Sequence, residues 1–258
     1  MLKAAILFAS TSYFAWYLER HETAMVYPFD ATYTTPAEAG ETRLRETRVE
    51  TGDGESLILW RVKARENRPT ILYFPGNAGG LRDRSPRFSA LIDQGYGIVA
   101  MGYRGSSGSS GAPDEQTLTE DARAVAALET ARPLVLYGES LGTALALRVA
   151  AEGIGDAVVL EAPFTSFIDI VAAQYPRDDL GELLTQQWKS LMSARDVRQP
   201  LLVIHGDIDK VVPIALGREI FEAVGSTDKH FLEITGKGHR TLWTDEMKTE
   251  LFAFLNAR

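Results

Sequence analysis

The chain has 258 residues, 45% of them hydrophobic and 24% charged, with a formal net charge of −8 and a pI near 5.1. That length and apolar content suffice for one substantial core, while the acidic balance excludes a general nucleic-acid-binding surface, which needs clustered Lys and Arg. With no cysteine present, disulfides, a cysteine nucleophile and thiolate metal sites are excluded.

The N-terminal run from Leu2 to Leu18 is largely apolar, preceded by Lys3 near its start, interrupted by Ser10-Thr11-Ser12 and ended by Tyr13, Phe14, Trp16 and Tyr17. At about 1.5 Å per helical residue it reaches roughly 25 Å, short of a ~30 Å hydrocarbon core. A thin membrane span, a cleaved signal peptide and an amphipathic helix lying on the membrane or on the domain are the competing readings. The aromatic cluster suits an interfacial belt, and no small-x-small cleavage site precedes Glu19-Arg20-His21-Glu22. Residues 1–20 are therefore expected to form an uncleaved hydrophobic anchor helix, with residues 21–258 as the catalytic domain. The positive-inside tendency of Lys3 favours a domain outside the cytoplasm.

Beyond the anchor, strand-like runs at Ser56 to Val62, Thr70 to Phe74, Gly97 to Met101, Leu134 to Tyr137, Ala157 to Leu160, Leu201 to Ile204 and Phe231 to Ile234 alternate with helix-like runs at Gln116 to Thr130, Thr143 to Ala151, Ile214 to Ala223 and Thr241 to Leu255. The strands are continuous Val/Ile/Leu runs, which suits burial on both faces of a mostly parallel sheet with helices on both sides. Arg82 to Arg87 reads as a solvated helix start. The Gly-rich stretch Ser106 to Gly111 lacks the Lys of a phosphate-binding loop, and the four histidines show no metal-ligand spacing. No metal and no cofactor are expected.

Gly138-Glu139-Ser140-Leu141-Gly142 stands between a strand-like and a helix-like run, the setting of a nucleophile elbow, whose tight turn demands glycines close to the serine. A serine hydroxyl needs a histidine to take its proton and an acid to orient that histidine. Two later strand ends supply them: His205-Gly206-Asp207-Ile208-Asp209 follows Leu201 to Ile204, and Gly236-Lys237-Gly238-His239 follows Phe231 to Ile234. Loops at the carboxyl ends of parallel strands converge in space. On this reading Ser140 is the nucleophile and His239 the base, with Asp207 and Asp209 both open as the acid.

These motifs, together with Phe74-Pro75-Gly76-Asn77-Ala78-Gly79-Gly80, Gly102-Tyr103-Arg104-Gly105-Ser106-Ser107-Gly108 and Glu161-Ala162-Pro163-Phe164-Thr165-Ser166, make the chain resemble an α/β-hydrolase over nearly its whole length. More closely it resembles the small, N-terminally anchored BEM46-like group. The resemblance implies an α/β-hydrolase fold with a small helical cap, and it selects Asp209 as the acid through the H-G-x-x-D pattern. It also places the oxyanion hole at the backbone N–H groups of Asn77 and Leu141, and it supports membrane association, though not a topology; a single-pass anchor in the bacterial inner membrane is the expected location.

About 163–199 is too long for an ordinary connection and is read as the cap, with helices at Thr165 to Tyr175 and Leu180 to Met192. Its apolar side chains, among them Phe164, Tyr175 and Trp188, are the candidate substrate-binding residues. An apolar cap beside a membrane-proximal N-terminus points to a lipid-derived acyl ester, a monoacylglycerol or another single-chain ester. An acyl-protein thioesterase of the depalmitoylating kind, or a binding protein without turnover, are the alternatives.

Overall fold

A computed structural model describes residues 21–174 and 184–258. Eight strands form one sheet in the order β1-β2-β4-β3-β5-β6-β7-β8: β1 (Arg45–Glu50), β2 (Ser56–Val62), β3 (Thr70–Phe74), β4 (Gly97–Met101), β5 (Leu134–Glu139), β6 (Ala157–Glu161), β7 (Leu201–Gly206) and β8 (Lys229–Ile234). β1 and β2 run antiparallel to their neighbours, whereas β3 to β8 are parallel. β1 stands apart from the expected strands. Its sequence, RETRVE, is exposed along most of its length, so this edge strand carries no apolar run to reveal it.

The pleat divides the core in two. Leu72 and Phe74 of β3 join the cluster under α2 (Glu115–Leu128), α3 (Leu141–Ala151) and α6 (Ile214–Ala223), while Ile71 and Tyr73 join the cluster under α1 (Ser85–Asp93) and α7 (Asp245–Asn256). Alternate side chains of one strand therefore feed opposite layers, and all five β3 residues are buried.

The cap differs from its expected shape. α4 (Phe167–Gln174) falls within the first expected helix, whereas among the described residues of the second, 184–192, helix is found only from Ser190, in the short α5 (Ser190–Ala194). In place of a helix, 184–189 is pinned to α2: the Glu115 carboxylate accepts the Gln187 and Trp188 backbone N–H groups at 2.7 and 2.9 Å. The chain turns there, with Trp188 at φ 47°, which brings two successive amides onto one acceptor. Residues 1–20 and 180–183, which carry the expected anchor and the start of the second cap helix, lie outside the described residues.

Candidate active site

Three loops at the carboxyl edge of β5, β7 and β8 build the site. The elbow is set by two close approaches. A Cβ on Gly142 would lie 1.9 Å from the Phe74 carbonyl oxygen, and one on Gly138 would lie 2.4 Å from the Gly142 oxygen, so only glycine fits at either position. Between them Ser140 adopts φ 50°, ψ −113°, a left-handed conformation costly for a residue with a side chain and held by its surroundings. Its N–H donates to the Glu161 carbonyl at 2.8 Å.

His239 Nε2 lies 3.0 Å from Ser140 Oγ, and His239 Nδ1 lies 2.8 Å from Asp209 Oδ2. The other Asp209 oxygen accepts the Val211 and Val212 N–H groups at 2.8 and 2.9 Å. Burial alone would raise this carboxyl, but the His239 bond and the two amides hold it below the usual carboxylate range. It therefore stays ionised where it can orient the imidazole. Asp207 faces elsewhere, accepting the Gly236 N–H at 2.6 Å. The structure thus brings Ser140, His239 and Asp209 together and leaves Asp207 out.

His205 is fully buried below the acid loop, with Nε2 at 2.9 Å from the Val212 carbonyl and 3.6 Å from Asp209 Oδ2. Burial lowers its pKa, so it sits in the neutral form as a brace for that loop.

Asn77 and Leu141 flank Ser140 from the β3 loop and from the start of α3. Among the described residues neither backbone N–H has an acceptor. The Asn77 side chain is used structurally, donating to the Val26 carbonyl at 2.9 Å.

Ser140 stands between two cavities. An apolar one of about 210 Å³ is walled by Met25, Val26, Leu141, Phe164, Phe167 and Ile170. A more polar one of about 500 Å³ has among its lining Asp83, Arg84, Arg87, Glu139, Glu161 and Arg240, three acids and three bases, beside apolar side chains such as Trp243. Of the cap residues expected to bind substrate, Phe164 lies on the wall of the apolar cavity, while Tyr175 lies outside the described residues. Trp188 does not line either cavity. It is fully buried, its indole N–H donates to Tyr27 Oη at 3.0 Å, and Arg148 stacks 4.8 Å over its ring. A large flat side chain with a bonded N–H and a cationic cover is a packing anchor, which is why its apolar character misdirects a reading from sequence.

The arginine segment is a second correction. Arg84 and Arg87 are held beneath the serine, not in solvent: side-chain exposure is 10% and 14%. Arg84 makes a two-pronged pair with Glu139 at 3.1 and 2.9 Å, and Arg87 does so with Glu161 at 2.5 and 3.0 Å. Tyr73 and Tyr137 complete the network, donating to Glu139 at 2.7 Å and to Glu161 at 2.6 Å, and Arg87 stacks 4.6 Å over Trp243. The signal was present in the strands: Glu139 and Glu161 end apolar runs, and a carboxylate there requires cationic partners. Among the described residues no cluster of three or more His, Asp or Glu is placed to hold a metal. Nor is any described helix long and apolar enough to cross a membrane.

A mostly parallel sheet, a serine on a strained strand-to-helix turn and a histidine and acid on later strand ends together define an α/β-hydrolase. Comparison with known proteins agrees. Residues 177–246 match the family described as Serine aminopeptidase, S33. An uncharacterised protein of Mycobacterium tuberculosis is 34% identical over 204 residues, covering 76% of this chain and 72% of the relative. Protein bem46 of Schizosaccharomyces pombe is 30% identical over 192 residues, 69% of this chain and 63% of the relative. Lysophosphatidylserine lipase ABHD12 of Rattus norvegicus is 31% identical over 192 residues, 65% of this chain and 48% of that lipase. Among solved structures, an esterase of Pyrococcus furiosus superposes with a TM-score of 0.73 at 19% identity, covering 90% of this chain and 96% of its own, which speaks to the fold. The chain belongs to the α/β-hydrolase superfamily, in the group that includes bem46. It spans about half the length of the lipase relative.

Proposed function

We propose that the chain is a serine ester hydrolase acting on single-chain, lipid-like acyl esters, a monoacylglycerol or a similar ester, through an acyl-enzyme on Ser140. The observation that carries this is the continuous run of contacts from Ser140 Oγ to His239 to Asp209, 3.0 and 2.8 Å, at the junction of an apolar and a polar cavity. Ser140 Oγ attacks the ester carbonyl as His239 Nε2 takes its proton. The oxyanion is held by the Asn77 and Leu141 N–H groups, and Asp209 stabilises the imidazolium. His239 then protonates the leaving alcohol, the C–O bond breaks, and water attacks the acyl-Ser140 by the reverse proton path.

The cavities sort the two ends of such a substrate. The acyl chain suits the apolar side, and the alcohol, with its hydroxyls, suits the polar side, where acids and bases balance. A relative named as a lysophosphatidylserine lipase supports a lipid ester in general. The apolar composition of Leu2 to Leu18, entering the described fold at a segment that walls the acyl cavity, supports membrane association through residues 1–20.

The test is steady-state hydrolysis of p-nitrophenyl esters from acetate to palmitate, of 1-monoacylglycerols and of a palmitoyl thioester, with Ser140→Ala as control. Activity that rises with chain length and vanishes in the variant is expected. Turnover of the thioester alone would make the chain a thioesterase. Loss of both turnover and fluorophosphonate labelling of Ser140 would leave a binding protein.

A further inference from the structure

We propose that Arg84 is a positioning residue that sets the geometry of the oxyanion hole by bridging its two halves; this rests on the serine-hydrolase reading above. The two expected N–H donors come from separate pieces of chain, Asn77 from the loop after β3 and Leu141 from the elbow after β5. Their spacing must be fixed from outside. Arg84 touches both pieces. Its Nε and Nη2 donate to Glu139 at 3.1 and 2.9 Å, one residue before Ser140. Its Nη1 donates to the Ala78 carbonyl at 2.6 Å and to the Gly80 carbonyl at 3.2 Å, immediately beyond Asn77.

A guanidinium is planar and rigid, so its donors hold their acceptors at one separation, which an ammonium cannot do. The loop is built around this group. A Cβ on Gly76 would lie 3.4 Å from Arg84 Nη2, and one on Gly79 would lie 3.0 Å from Nη1. Asp83 Oδ2 holds the Gly80 N–H at 2.8 Å, fixing the loop's far end to the turn that carries Arg84. Four of its five N–H donors go to Glu139, Ala78 and Gly80, so the side chain serves chiefly as a brace. The Glu139 carboxyl, which burial alone would raise, is held below the usual carboxylate range by Arg84 and Arg87, so the bridge is a pair of charges at neutral pH.

A brace for the hole acts on the transition state more than on the ground state. The experiment compares wild type, Arg84→Lys, Arg84→Ala and the charge-neutral pair Arg84→Met with Glu139→Gln. Each is first shown to be folded by circular dichroism and thermal unfolding. The readouts are kcat and KM on a soluble p-nitrophenyl ester and the inhibition constant of an alkyl boronic acid, whose Ser140 adduct imitates the tetrahedral state. In folded Arg84→Lys, kcat should fall by roughly tenfold to a thousandfold, the range for a lost or displaced oxyanion donor. The boronic acid should weaken by a similar factor, while KM moves little. Millimolar guanidinium should restore part of kcat in Arg84→Ala and none in wild type.

A folded Arg84→Lys with wild-type kcat and boronate affinity would overturn the proposal, as would a loss confined to KM. Should Arg84→Lys fail to fold, the charge-neutral pair decides the same question by the same readouts. A wild-type protein inert to both esters and fluorophosphonate would instead remove the hydrolase reading, and the bridging role with it.

Discussion

The side-chain amide of Asn77 donates to the Val26 carbonyl at 2.9 Å, which ties the loop beside Ser140 to the helical segment 21–26. That segment is itself fixed to the returning limb of the cap, since Glu22 accepts the Thr185 hydroxyl at 2.7 Å and the Gln186 N–H at 2.8 Å. The entrance of the chain, the cap and the oxyanion loop thus form one mechanical unit. Asn77→Ala keeps the backbone N–H but cuts the tie. Its kcat is expected to fall roughly tenfold or more, in keeping with the sensitivity of such geometry to small displacements. Wild-type kcat in the folded variant would show that the loop is held without Val26.

Asp209 and Asp207 offer a clean contrast, because they lie two residues apart and only Asp209 reaches His239. Asp209→Asn should leave unfolding unchanged to within a modest shift while reducing kcat by about 10⁴, the loss expected when tautomer control fails. Asp207→Asn should keep most of the activity. A reversal of these two kinetic results would transfer the acid role to Asp207.

Chain-length selectivity should reside in the apolar cavity of about 210 Å³. Ile170→Trp fills part of it from α4. Turnover of long esters should fall at least tenfold relative to short ones, since each methylene excluded from an apolar pocket costs a factor of about ten or more. The readout is kcat/KM across the p-nitrophenyl series, and an unshifted profile would place the acyl chain elsewhere.

Acid stability follows from Glu139. Burial would raise its carboxyl, yet Arg84 and Arg87 depress it from 4.5 to about 2. A depressed folded-state value means that the stabilisation is complete above the ordinary value and is lost as pH falls towards 2. Urea midpoints at neutral pH and midway between 4.5 and 2 should therefore drop more steeply for wild type than for Glu139→Gln. Parallel slopes would show that Glu139 contributes nothing to acid unfolding.

Much of this arrangement was legible in the residues. Six strands announce themselves because they are apolar on both faces, β8 through Phe231, Leu232 and Ile234 among charged neighbours, and the elbow because Gly138 and Gly142 leave room for backbone alone. The charged strand β1 carries no such mark, since an edge strand with polar side chains reads as a loop. Trp188 was misread for the opposite reason: apolar bulk shows that a residue is buried but not against what. Arg84 and Arg87 were hidden by local composition. Arg-Asp-Arg-Ser-Pro-Arg looks solvated until Glu139 and Glu161, distant in sequence, are seen to need partners.

Those four charges constrain how the sequence can drift. Arg84 with Glu139 and Arg87 with Glu161 are each two-pronged and largely shielded from water, so changing one member strands the other at about 3–5 kcal/mol. That is a large part of the ~5–15 kcal/mol that holds a domain together. Single substitutions at these sites are therefore costly though still compatible with a folded chain, and joint replacement of both members loses less stability. The floor under Ser140 should change in coupled pairs, if at all, while the cavity walls around it remain free to vary one residue at a time.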